Sequence, residues 1–147
     1  MKPILSCTYS LSELKQFAMC IYFYLKKENI KLVYLRGDVG SGKTTFVKTL
    51  IESLEPSYNV TSPTYNYFNE YTIGGKYIWH FDLYRIEESN DLIDLGIVDY
   101  LHRQDGIAFV EWPEKLEQQS NSFSILVLQF HHLENDSQRS CIVSLLE

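Results

Sequence analysis

Gly37-Asp38-Val39-Gly40-Ser41-Gly42-Lys43-Thr44 carries glycines, a lysine and a hydroxyl residue in the pattern G-x-x-x-x-G-K-[ST]. Glycines at that spacing let backbone N–H groups turn inward around phosphate oxygens. A lysine at Lys43 brings a point charge to the β- and γ-phosphates of a nucleotide, and the Thr44 hydroxyl suits a magnesium ion. The segment therefore predicts a phosphate-binding loop with ATP or ADP and Mg2+ as ligands. The competing reading is a glycine-rich turn without a ligand. An apolar strand before it and an amphipathic helix after it argue against that reading. The Asn-Lys-x-Asp element with which many GTPases read guanine is absent from the sequence, which favours ATP.

Magnesium at such a loop needs a carboxylate, usually from the end of a neighbouring strand. Asp82 lies late in a tyrosine-rich strand, and period two puts His80, Asp82 and Tyr84 on one face. Glu111 ends the apolar run Ile107-Ala108-Phe109-Val110, where parallel-sheet proteins place ligand groups. An ordinary surface or ion-paired acid is the alternative for either. Thr61-Ser62-Pro63-Thr64 reads locally as turn chemistry. Its functional reading makes Thr64 a sensor of the γ-phosphate, as in switch loops. Trp112, directly after Glu111, either packs on the sheet or lines the site.

The elements that must position these residues follow from periodicity. Ser10 with Glu13 three residues later forms a capping-box pattern, which predicts a helix beginning at Ser10 and carrying Leu11, Leu14, Ala18, Ile21 and Leu25 on one face. Leu32-Val33-Tyr34-Leu35 predicts a buried strand, and Lys43 to Leu54 a second helix. Thr64 to Tyr71 and Lys76 to Leu83 predict two strands joined at Gly74-Gly75. Their tyrosines suit cross-strand packing better than stacking on bases, given the few basic residues. Short helices are expected at Ser89 to Leu95 and Ile97 to His102, with Gly96 as a cap between them. A closing hairpin, Phe123 to Phe130 and Arg139 to Leu146, completes the chain. This order predicts one α/β domain over residues 1–147: a mixed, partly parallel sheet flanked by helices and antiparallel hairpins.

Composition narrows the function classes. The chain has 147 residues, a net charge of −6 and four arginines, Arg36, Arg85, Arg103 and Arg139. No Lys/Arg cluster exceeds Lys26-Lys27, so direct grip on DNA or RNA is not expected. No apolar run approaches the roughly 20 residues of a membrane span, and the first residues lack the core of a secretory signal. A cytoplasmic protein is expected. Cys7, Cys20 and Cys141 are too few and too scattered for a disulfide framework or a metal cluster, and read as reduced thiols.

Together, Leu35 to Thr45, Ser62-Pro63-Thr64-Tyr65, His80-Phe81-Asp82-Leu83-Tyr84-Arg85 and Glu111-Trp112 resemble the TsaE (YjeE) family of bacterial tRNA threonylcarbamoyladenosine synthesis. The loop alone is unspecific; the His-x-Asp-x-Tyr-Arg element and the Glu-Trp pair in this order are specific. The resemblance implies a P-loop NTPase fold and a small ATPase, weak alone, that works with the TsaB–TsaD complex and meets tRNA only through it. It implies that Gly37, Asp38, Val39, Gly40, Ser41, Gly42, Lys43, Thr44, Thr45 and Trp112 bind nucleotide. Thr44, Asp82 and Glu111 become metal-site residues. Lys43, Asp82, Glu111 and Thr64 become the residues of hydrolysis, Thr64 as a switch. Two other classes compete: a small phosphotransferase acting on a metabolite, and a nucleotide-binding adaptor without hydrolysis.

Overall fold

The computed structural model describes residues 1–117 and 124–146. Its strands are β1 (Lys2–Ser10), β2 (Leu32–Arg36), β3 (Phe68–Ile73), β4 (Lys76–Asp82), β5 (Gly106–Glu111), β6 (Ile125–His132) and β7 (Gln138–Leu146). Its helices are α1 (Leu14–Lys27), α2 (Lys43–Leu54), α3 (Ser89–Asp94) and α4 (Ile97–Leu101), with a 3-10 turn at Pro113–Lys115. The strands form one sheet in the order β1-β7-β6-β2-β5-β4-β3. β2 runs parallel to both β5 and β6, and β4 parallel to β5. The β3–β4, β6–β7 and β1–β7 pairs are antiparallel. The α/β architecture with a mixed sheet is the expected one. Phe123, the expected first residue of the closing hairpin, lies outside the described residues.

The apolar run of β2 explains its central place. Val33 and Leu35 face one core with the buried stripes of α1 and α2, while Leu32 and Tyr34 face another with Leu92, Ile97 and Leu101 of α3 and α4. A strand buried on both faces has no polar side, so it reads as a continuous apolar run. Phe46 of α2 locks the first core, its ring meeting Phe17, Phe109 and Phe130. This packing fixes the start of α2, and with it the loop Gly37–Gly42, over the ends of β2 and β5.

Three local expectations are corrected. Residues 2–10 do not lead into a helix that starts at Ser10. They form β1, paired with β7 from Lys2↔Leu145 to Ser10↔Gln138. β1 is mostly exposed, so no burial pattern marks it; the partner strand creates it. The Ser10–Glu13 contact does form, but before the helix: the Ser10 N–H and hydroxyl both donate to the Glu13 carboxylate at 2.8 Å, and α1 starts at Leu14. Second, the strand expected from Thr64 begins at Phe68. A turn at Pro63–Asn66 and a left-handed Tyr67 (φ 64°) interrupt it. Third, β4 stops at Asp82, so Tyr84 leaves the strand and is exposed. Gly74 and Gly75 make the expected hairpin with φ of 57° and 75°, as a turn with both central residues left-handed requires. Gly96 caps between α3 and α4 at φ 69°. Among the described residues no helix is long and apolar enough to cross a membrane.

Candidate functional site

The loop between β2 and α2 bends through Gly37 (φ 139°), Gly40 (77°) and Gly42 (107°). At Gly37 an added Cβ would stand 2.6 Å from the Phe130 carbonyl and from the Ser41 hydroxyl, so no side chain fits. The Ser41 hydroxyl is fully buried in the loop and has no partner among the described residues. Such a group needs an explanation, and an anion held by the loop supplies one.

Lys43 begins α2 and is 4% exposed. Its ammonium donates to the carbonyls of Gly37 at 2.6 Å and Asp38 at 3.0 Å. It also lies 4.3 Å from the centre of the Trp112 ring. Burial holds its pKa below the ordinary lysine value, and the nearby charges of Glu111, Asp82, Asp38 and Glu114 offset part of that. Trp112 reaches this position through a left-handed backbone (φ 56°) and is flanked by the Tyr84 ring. Positive φ at a bulky residue costs roughly 1–3 kcal/mol and is found where the surroundings enforce it.

The structure brings the two candidate carboxylates, Asp82 and Glu111, together. They are register partners at the ends of β4 and β5, 5% and 3% exposed. Glu111 accepts hydrogen bonds at one oxygen from the Thr44 hydroxyl and from His80 Nε2, both at 2.7 Å. Asp82 accepts from the Thr64 hydroxyl at 2.8 Å and from the Tyr84 N–H at 3.0 Å. This burial excludes surface acids but not ion-paired ones, and Glu111 does pair with His80. Thr64 sits at the turn rather than on a strand, yet reaches the same groove as Thr44, Thr45, Val39 and Trp112.

The donor set fits a hydrated magnesium ion. Mg2+ keeps several waters and takes one or two carboxylates with substrate phosphates, so a closed protein cage is not required. Among the described residues no cluster of three His, Cys, Asp or Glu could form one. Thr44 can offer a lone pair to a cation while its O–H donates to Glu111.

Two features were not legible in the sequence. His80 had been placed on the face of Asp82, but nothing pointed to its bond with Glu111. A second hollow opens on the far side of Gly40 and Gly42, between Tyr9, Leu11 and Leu14 and the turn residues Asp136 and Ser137 with Arg139 of β7. Arg139, which belongs to no motif, is thereby beside the loop. Both walls come from the paired ends of the chain, so no local pattern announces them.

The chain was compared with known proteins. The family model described as "Threonylcarbamoyl adenosine biosynthesis protein TsaE" matches residues 8–141. The chain is similar to the tRNA threonylcarbamoyladenosine biosynthesis protein TsaE of Haemophilus influenzae, 45% identical over 69% of this chain and 63% of that protein. The match thus spans less than two thirds of that relative's length. The protein of the same name from Bacillus subtilis is 36% identical over 81% of this chain and 72% of its own. Among solved structures, that of Bacillus subtilis YdiB superposes with a TM-score of 0.68 at 25% identity, covering 98% of this chain and 88% of that one.

Proposed function

This chain belongs to the TsaE family of threonylcarbamoyl adenosine biosynthesis proteins, and we propose that it serves tRNA threonylcarbamoyladenosine synthesis as a magnesium-dependent ATPase. The observation that carries this reading is the hydrogen bond from Thr44 to Glu111, which ties the phosphate loop to the end of β5. In this reading the backbone from Gly37 to Thr45 cradles the phosphates, and Lys43 leaves its loop carbonyls for their charge. Bound magnesium would be held by Thr44 and Glu111 and would neutralise charge developing on the phosphate oxygens. Asp82 orients the attacking water, and Thr64, bonded to Asp82, couples the turn Thr61–Thr64 to the γ-phosphate. The hollow beside Gly40 gives the nucleoside somewhere to extend.

Hydrolysis by the chain alone is slow in this reading, because cations for the transition state are scarce. Among the described residues Arg36 pairs with Glu117, Arg103 with Asp105, and Arg139 donates to the carbonyls of Asp136 and Gln138. Arg85 stacks on Tyr65, 4.5 Å from its centre. A charge supplied by a partner is worth on the order of 10³–10⁵ in rate. The partner we assign is the TsaB–TsaD complex, with tRNA contacted only through it. Single-turnover ATP hydrolysis with and without TsaB–TsaD tests this. Slow turnover alone and a large rise with the complex are expected. Fast turnover alone, indifferent to the complex, overturns the reading and favours a phosphotransferase, to be sought by phosphate transfer to added metabolites.

A further inference from the structure

His80 is a fully buried side chain that sits behind the site rather than in it. It lies two residues before Asp82 on β4, opposite Phe109 of β5, and Glu111 follows Phe109 by two on the same face. From there its Nε2 reaches Glu111 Oε1 at 2.7 Å. An ionised carboxylate only accepts, so the Nε2 proton is His80's own. The other ring nitrogen, Nδ1, is buried without a partner among the described residues.

That arrangement is unfavourable for folding taken by itself. A buried imidazole nitrogen without a partner costs stability, and an apolar residue would fill the same space between β3 and β5 without that cost. A polar side chain kept at such a position despite a local cost points to a role in the site. The role is visible in the geometry. Glu111 Oε1 receives two hydrogen bonds, from Thr44 on one side and His80 on the other. Thr44 alone leaves the carboxylate free to turn about its last bond. With His80 as the second donor, Oε1 is pinned and the other oxygen has one direction to face.

We propose that His80 is a positioning residue: it holds the Glu111 carboxylate in the one orientation in which it, with Thr44, would hold a magnesium ion. It touches neither phosphate nor metal and acts through Glu111. The proposal rests on the assignment of Glu111 to the metal given above. It explains the histidine of the His-x-Asp element by a bond to a residue 31 positions later.

The test is the affinity for ADP measured by calorimetry in Mg2+ and in EDTA. In the wild type Mg2+ should tighten binding. Loss of a group that orients a metal ligand typically costs 10–100-fold in metal affinity. His80→Leu should therefore lose the tightening by about that factor, with EDTA affinity unchanged. His80→Gln, whose amide N–H can take the place of Nε2–H, should keep most of it. Because His80 acts through Glu111, the double variant His80→Leu/Glu111→Gln should lose no more than Glu111→Gln alone. A wild-type Mg2+ effect in His80→Leu, with that effect lost in Glu111→Gln, overturns the proposal and leaves the metal site standing. An unchanged Mg2+ effect in Glu111→Gln overturns the metal assignment and the proposal with it. If both His80 variants lose EDTA affinity as well, His80 supports the fold and the proposal falls.

Discussion

Asp82 and Glu111 face each other as register partners on adjacent parallel strands, and each accepts a hydrogen bond from a different threonine. Thr44 belongs to the phosphate loop and Thr64 to the turn after α2. Two buried carboxylates thereby connect two separate segments of chain to the ends of two neighbouring interior strands. A ligand that draws Thr44 toward itself acts on Glu111, and one that draws Thr64 acts on Asp82.

Asp82→Asn and Glu111→Gln should lower ATP hydrolysis by at least about 10²-fold, the usual range for loss of a proton-handling or charge-orienting group. Both keep an oxygen acceptor for the N–H of Tyr84 or the hydroxyl of Thr44, so melting temperature should move little. Alanine is the poorer test, because it strands His80 or Thr44 and adds about 1–3 kcal/mol of lost stability. Steady-state hydrolysis and thermal melts on the same samples separate the two effects. Wild-type hydrolysis in either variant removes that residue from the reaction.

Mg-ADP should raise the melting temperature, since binding to the folded state alone adds about 2.7 kcal/mol at 100 times Kd. Lys43→Ala should abolish the rise, and GTP should give a smaller one than ATP. The ammonium of Lys43 lies 4.3 Å from the Trp112 ring centre, so its transfer to phosphate should change indole emission. Trp79 is the other indole; it is buried and bonded to Glu70. The nucleotide signal should vanish in Trp112→Phe and persist in Trp79→Phe.

Thr64→Val keeps the shape of the side chain and removes its bond to Asp82. ATP-dependent association with TsaB–TsaD should weaken, while ADP affinity should hold. Pull-down with the complex in ATP and in ADP reads the difference. Equal association in both nucleotides, in wild type and variant alike, denies the turn a switching role.

Glu13 carries a pH dependence that can be checked away from the site. Its backbone and hydroxyl bonds from Ser10 hold the carboxyl below its ordinary value. A folded pKa below the unfolded one contributes stability above the unfolded value, lost as pH falls through the folded one. Glu13→Gln should melt below the wild type at pH 7, and the gap should close in acid below the ordinary glutamate range. A gap that persists there assigns the effect to packing.

The parts legible in the sequence share a property: their information is local. The phosphate loop with α2 is set by glycine spacing and a helical stripe within one stretch, and α2 runs from Lys43 to Leu54 as periodicity predicts. β2 and β5 declare themselves because burial on both faces forces unbroken apolar runs. What stayed hidden is non-local. β1 has no burial pattern and exists through β7. Asp82 and Glu111 were each ambiguous, since spacing along a chain does not reveal the register that sets them opposite each other. The bond from His80 to Glu111 and the hollow at Arg139 depend on elements that sequence order keeps far apart. The early start assigned to α1 came from a capping pattern that formed one turn ahead of the helix.

The pairing of Cys7 with Cys141 closes a loop across 134 positions. A ribosome delivers β1 well before β7, so β1 waits for the strand it pairs with. Contacts this distant in sequence slow folding, because chain entropy must be lost before they form. Before β7 pairs with β1, the hollow lacks the wall that Asp136, Ser137 and Arg139 supply. The phosphate loop draws on late chain as well, since Phe130 of β6 packs on Phe46 and closes over Gly37. Both ends of the groove therefore depend on the hairpin of β6 and β7.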